Sequence, residues 1–190
     1  MELETPRLLL REFREEEWRL LAAIQCTAKA RQFLLRGECS EQAAYNFVTG
    51  AIAHAELEPR VYYGLAVVHK ESARLIGCAV AGQVALDIPD VKIGWSLDES
   101  FWGQGYMTEA MRRLVAFGFD SAGFHSVLAY CFAANIASRR VMEKLGMQLQ
   151  TPKAWQQRLL SVGHLERRPI VHYSLTKAQW PDGQRQSGQE

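Results

Sequence analysis

Two short stretches hold residue types that can do chemistry. The first is Ile93 to Ala110, IGWSLDESFWGQGYMTEA. A β-type segment there runs through Gly103-Gln104-Gly105 straight into a helical pattern. Paired glycines let a backbone approach a ligand closely and take positive φ. The helix behind them offers unpaired N–H groups and the positive end of its dipole, which suits a phosphate or pyrophosphate. Thr108, in the first helical turn, adds a hydroxyl. No Lys-Ser/Thr follows the glycines, as a P-loop requires, and no GxGxxG follows a parallel strand. Taken alone, a G-x-G is more often just a tight strand-to-helix turn.

The second stretch is Asn135 to Met147, NIASRRVMEKLGM. Asn135 stands where it would cap a helix, with its amide at the end of the preceding strand. Ser138 lies one turn inside, on the same side. Arg139, Arg140 and Lys144 make the helix locally cationic. On its own this pattern is more often a capped surface helix with a solvated basic face.

The elements that must position these residues follow from periodicity. Arg7 to Phe13 reads as a strand, and residues 15–30 as a helix with Trp18, Leu21 and Ala22 on one face. Ser40 caps a clearer helix in which Ala44, Phe47, Val48, Ala51, Ile52 and Ala55 recur at helical spacing. Tyr62–Val68, Leu75–Val84 and Val91–Leu97 are β-branched or aromatic runs with short connections, hence successive antiparallel strands. A helix over 106–121 buries Met107, Ala110, Met111, Leu114, Phe117 and Gly118. Ser126–Phe132 is a strand, and Ile136–Leu145 a helix stopped by Gly146. Closing strands fall around Gln148–Leu160 and Ile170–Thr176. The order β-α-α-β-β-β-α-β-α-β-β describes a mixed α/β fold around one sheet, not a doubly wound domain.

Composition narrows the class. The 190 residues suit one domain, expected over 1–180, with the polar tail 181–190 (PDGQRQSGQE) disordered. Lys and Arg number 22 against 21 Asp and Glu, which argues against a nonspecific nucleic-acid binder. No run approaches the roughly 20 apolar residues needed to span a bilayer, and the N-terminus carries no signal-peptide pattern. Cys26, Cys39, Cys78 and Cys131 are widely spaced with no CxxC, which points to reduced thiols in a cytoplasmic protein and no zinc site.

Together the two stretches are far more specific than either alone. With ETPRLLLREF at the start and VHYSLTKAQW near the end, the sequence resembles the GNAT superfamily of acyl-CoA N-acetyltransferases. Within it, the chain is similar to the RimJ/RimL group of ribosomal-protein N-acetyltransferases, over roughly residues 4 to 180. The resemblance implies a mostly antiparallel sheet that splays between the family's fourth and fifth strands, here Val91–Leu97 and Ser126–Phe132. It implies that amides of Gly103, Gln104, Gly105, Tyr106 and Met107, with Thr108, hold the pyrophosphate of acetyl-CoA. Backbone groups of Trp95, Ser96 and Leu97 would bond the pantetheine arm, with Asn135 beside it. Ser138 would protonate the departing thiolate, and Arg139, Arg140 or Lys144 would meet the nucleotide phosphates. The reaction implied is direct attack of a neutral amine on the thioester, without metal.

Some positions depart from the family's pattern. Lys92 stands where many relatives have a Glu that relays the amine's proton. Met142 stands where some have an acidic Tyr, and Met107 replaces a small residue in the phosphate loop. Near the last strand only Glu166 is acidic, beside Arg167 and Arg168, so Glu166 or a water chain is the expected base. Trp95 and Trp102 can line the channel, although aromatics at a sheet edge more often pack. Cys131 reads as a small hydrophobe rather than a nucleophile, and His125 and His172 as edge or core residues. Glu109 is explained by the helix dipole.

The expected acceptor is a protein N-terminal α-amine. The alternatives are a small-molecule amine or antibiotic, and a non-catalytic acyl-CoA sensor. The partners are acetyl-CoA and the amine, with a monomer or homodimer expected and neither nucleic acid nor membrane. The acceptor-side loops carry no readable code.

Overall fold

Near-continuous apolar runs in the central β segments, such as YYGLAVV and VLAYCF, let both faces of one sheet carry a hydrophobic layer. In the computed structural model, residues 1–34, 39–85, 88–151 and 168–180 are described. The strands are β1 (Glu2–Glu4), β2 (Leu8–Arg11), β3 (Tyr62–His69), β4 (Arg74–Ala85), β5 (Ile88–Leu97), β6 (Ser126–Phe132), β7 (Gln148–Gln150) and β8 (Ile170–Thr176). They form one sheet in the order β1-β2-β3-β4-β5-β6-β8-β7. Every neighbouring pair is antiparallel except β5 and β6. The helices are α1 (Trp18–Gln25), α2 (Ala28–Arg31), α3 (Glu41–Ala55), α4 (Tyr106–Asp120) and α5 (Ile136–Lys144).

One layer packs α4 and α5 against the sheet through Leu65, Ile76, Met111, Leu114, Met142 and Leu175. The other packs α1 and α3 through Phe13, Leu21, Val48, Ala66 and Cys78. Burial of a side chain of this size contributes about 1.5–3 kcal/mol, so these layers anchor everything the site uses.

The structure alters three expectations. The strand expected over Arg7–Phe13 is β2, and an unexpected strand, β1, precedes it because Thr5 turns the chain: its N–H donates to the Leu8 carbonyl at 2.9 Å and Leu3 pairs with Leu10. The helix expected over 15–30 breaks after α1, where Thr27 caps α2 by accepting from the Ala30 N–H at 3.1 Å. The side-chain oxygen satisfies a helix-end donor there and starts a new helix in place of continuing the old one. Reduced thiols throughout are not found: Cys26 and Cys39 form a disulfide, with Cα atoms 5.4 Å apart. It ties the end of α1 to the start of α3, a proximity that a spacing of 13 residues does not reveal. Cys78 and Cys131 are free and buried. The closing strand expected over 148–160 is described only as β7, since 152–167 lies outside the described residues.

Candidate active site

The site begins where the sheet comes apart. β5 and β6 pair at Asp90–Ser126, Val91–Val127 and Lys92–Leu128, and no further. Beyond that point β5 continues to Leu97 and β6 to Phe132, each still paired on its outer edge, to β4 and β8. The facing inner edges carry backbone donors and acceptors that no strand satisfies, which is the template for an extended ligand to bond as a strand. Trp95 and Ser96 lie on this free stretch. The Leu97 carbonyl is taken by the Trp102 indole N–H at 2.8 Å.

A cavity of about 440 Å³ fills the gap and passes through the sheet. Its wall on the α4–α5 side includes Met107, Thr108, Cys131, Asn135, Ser138 and Met142. On the α1–α2 side it includes Gln25, Ala30, Phe33, Leu34, Lys92 and Tyr130. None of its described lining residues is an Asp or Glu.

The glycine turn stands at the mouth on the α4 side. Gly103 and Gly105 have φ of +76° and +83°, conformations costly to a residue with a Cβ. The first helical bond of α4 runs from the Glu109 N–H to the Gly105 carbonyl at 3.0 Å, so the amides before it have no helical partner. Gly103, Gly105, Tyr106, Met107 and Thr108 line the cavity, while Gln104 sends its side-chain amide to the Ser100 carbonyl. Arg140 and Lys144 line the same cavity and have no ion-pair partner among the described residues. Arg139 lies outside the lining: its guanidinium reaches the Tyr173 hydroxyl and the Ala133 carbonyl. The fit to a nucleotide diphosphate is therefore a ring of main-chain donors with two unpaired cations beyond it.

Asn135 is buried, and its side-chain oxygen accepts from the Ser138 N–H at 3.0 Å, fixing the start of α5. The half-buried Ser138 hydroxyl bonds to no described protein group and so is available to a ligand. Burial pushes the Cys131 thiol up to about 11, so it is scarcely ionised at neutral pH. His172 is 4% exposed, tilted against Tyr130 with centroids 5.6 Å apart, and neither ring nitrogen has a partner among the described residues. Burial holds its pKa below the usual value. His125 is exposed, and Glu166 lies outside the described residues. Among the described residues no cluster of three His, Cys, Asp or Glu could hold a metal, and no helix is long and apolar enough to cross a membrane.

Sequence reasoning missed the support of the turn. The Glu109 carboxylate accepts from the Thr5 hydroxyl at 2.6 Å, the Arg7 N–H at 3.0 Å and Arg7 Nε at 2.7 Å. Arg7 also donates to the Gln104 carbonyl at 3.1 Å and covers the Tyr106 ring at 4.1 Å. Burial would raise the Glu109 pKa, but the Thr5 and Arg7 hydrogen bonds outweigh it and hold the carboxyl below its usual range. No local signal marks partners 102 residues apart.

The Acetyltransferase (GNAT) domain matches residues 7–148. The chain is 29% identical over 149 residues to the Uncharacterized N-acetyltransferase YnaD of Bacillus subtilis (strain 168), covering 78% of this chain and 83% of that one. Its fold is similar to a GNAT-family acetyltransferase from Bacillus anthracis, with TM-score 0.74, 22% identity and coverage of 94% and 99%. It is also similar to RimL, the ribosomal L7/L12 alpha-N-protein acetyltransferase solved with coenzyme A, with TM-score 0.74, 18% identity and coverage of 93% and 98%. The parted strands, the amide-lined turn and the match over most of the length agree: the chain belongs to the GNAT family of acetyl-CoA-dependent N-acetyltransferases.

Proposed function

We propose that the protein moves an acetyl group from acetyl-CoA to a primary amine by direct attack, and that a protein N-terminal α-amine is the acceptor type. One observation carries the reading: a single cavity is lined from both faces of the split sheet. Coenzyme entering past the glycine turn and an amine entering past α1–α2 meet in the gap, and that positioning supplies much of the rate. Acetyl-CoA supplies the activated thioester. Main-chain amides of Gly103 to Met107, with Thr108, bind its diphosphate. Backbone groups of Trp95 and Ser96 orient the arm, and the Ser138 hydroxyl gives a proton to the sulfur. The weakly acidic, buried Cys131 thiol supports direct transfer over an acyl-enzyme. The N-terminal acceptor is supported by the ribosomal-protein acetyltransferases among the fold's neighbours.

Acetyl-CoA is expected to raise the melting temperature, as a ligand selective for the native state does. Thiol release with N-terminal peptides then reports turnover. No shift at saturating coenzyme defeats the reading. A second reading, a non-catalytic acyl-CoA sensor, draws on the absence of any Asp or Glu among the described lining residues. Binding without turnover on any amine would establish it.

A further inference from the structure

The α1–α2 side of the cavity is cationic where an enzyme that must deprotonate an ammonium is expected to be acidic. Lys92 faces this side from the last paired position of β5, and its Nζ lies 4.5 Å from the Tyr130 ring centroid, across the start of the gap. It has no carboxylate within ion-pairing distance among the described residues. Arg168 sits over the Phe132 ring at 3.9 Å, two residues farther along β6 on the same face. Its guanidinium is exposed, lies outside the lining and donates to the Gln32 carbonyl at 2.6 Å, beside the cavity-lining Phe33 and Leu34, with no carboxylate partner among the described residues. The neighbouring polar groups do not offset this charge. Gln25 and Ser96 are neutral and bonded to each other at 3.2 Å. His172 is buried and held towards its neutral form. The nearby carboxylates are engaged elsewhere: Glu99 with Thr27 and Lys29, Asp90 with Ser126.

Among the described residues a bare ammonium has no carboxylate complement here, whereas an anionic group would be complemented by the exposed Lys92 of the lining and by the exposed Arg168 at its rim. The geometry points to an acceptor that is a primary amine bearing an anionic group, a carboxylate or a phosphate, within a few bonds of the nitrogen, the anion being held by Lys92 in the lining with Arg168 at the rim. This rests on the acetyltransferase reading and names its substrate class. The same cations favour the neutral amine over the ammonium, so the proton can be released to water without a carboxylate among the described lining residues. The nitrogen lone pair then forms the amide bond and the nitrogen gives up one N–H proton. The thioester C–S bond breaks, and the electron pair leaves on sulfur, which takes a proton from the Ser138 hydroxyl, itself reprotonated by the one the nitrogen released. Two sources have this chemistry, a free amino acid or phosphoamine and a peptide with an acidic residue beside its N-terminus.

The test measures thiol release from acetyl-CoA by the full chain on matched acceptors. Small pairs are glutamate against glutamine amide and O-phosphoethanolamine against ethanolamine. Peptide pairs begin Ser-Glu-Glu or Ser-Gln-Gln. The anionic member of a pair is expected to have kcat/KM higher on the order of tenfold, shrinking as salt rises. Preference in the small pairs alone identifies a free amine, and preference in the peptides alone a protein N-terminus. K92E should reverse the preference and K92R retain it, with the acetyl-CoA melting shift intact in both. Equal use of both members, or equal loss on both in K92E, overturns the inference while leaving the acetyltransferase reading in place. Coenzyme binding with turnover on no acceptor overturns both.

Discussion

Arg7 and Glu109 meet as a two-point ion pair, Nε to Oε2 at 2.7 Å and Nη2 to Oε2 at 2.6 Å, joining the first turn of the chain to the first turn of α4. The pair shares the Glu109 carboxylate with Thr5, and its guanidinium also grips the Gln104 carbonyl inside the glycine turn. The loop read as a diphosphate cradle is therefore held from outside by the N-terminal strands. R7A is expected to raise the KM for acetyl-CoA more than it lowers kcat, because it loosens the cradle without touching the reacting atoms. A double-mutant cycle with E109Q should give a coupling of about 0.5–3 kcal/mol. Additive losses would show that the two residues act separately.

Acid should weaken the same joint. The Glu109 carboxyl lies below its usual range, as do those of Glu12 and Glu17, each hydrogen-bonded by an arginine. In each, burial acts to raise the pKa and the hydrogen bonds prevail. A lowered native pKa means that the unfolded chain binds protons first. The stabilisation is thus present above the ordinary carboxylate range and is lost as pH falls through the lowered values. Urea midpoints measured from pH 7 down to 3 should fall, and fall less in E109Q.

Gly105 closes the turn with a left-handed backbone and starts α4. G105A keeps the space, since a Cβ would meet only the end of the Arg7 side chain at 3.6 Å, yet it forces an unfavourable φ. The cost is about 1–2 kcal/mol. A lower melting temperature with a weakened acetyl-CoA shift is expected; an unchanged shift would mean that the turn does not hold the coenzyme.

Ser138 is the half-buried hydroxyl of α5 that faces the cavity unbonded. S138A should lower kcat by roughly 100-fold if the hydroxyl delivers the leaving-group proton, with coenzyme affinity nearly unchanged. Single-turnover rates compared with titration calorimetry separate the two effects, and an unaltered rate removes the role.

His172 carries two unpartnered ring nitrogens in a nearly sealed position beside Tyr130. Leaving such a group unbonded costs about 1–3 kcal/mol, so H172F is expected to match or exceed the parent's stability at pH 7. The parent should also lose stability as pH falls below about 6.5, where an unfolded histidine takes a proton that the buried one refuses. Chemical denaturation at pH 7.5 and 5.5 checks both, and a variant weaker at each pH refutes the account.

Much of this architecture is written in local patterns. The limits of β6 and β8 follow from runs of β-branched and aromatic residues, and Ser40 marks the start of α3 by its cap. The glycine turn and the Asn135 cap were legible because their chemistry is local, one turn or one helix end each. Other features depend on tertiary proximity. Thr27 caps one helix inside what reads as a single amphipathic run. Cys26 and Cys39 face each other only once α3 folds back on α1. Arg7 reaches Glu109 only after more than half the chain is in place. Lys92 was visible as a departure from the family's pattern, but its position over Tyr130, in a cavity whose described lining has no carboxylate, belongs to the packed molecule.

Because the described cavity lining comes from both faces of the split sheet, the proposed function gives each reactant its own approach. On that proposal, acetylated product would depart by α1 and α2 while spent coenzyme is still seated behind α4. A single compound tethering coenzyme to acceptor would run through the molecule like thread through a needle's eye, free to withdraw only by the way it came.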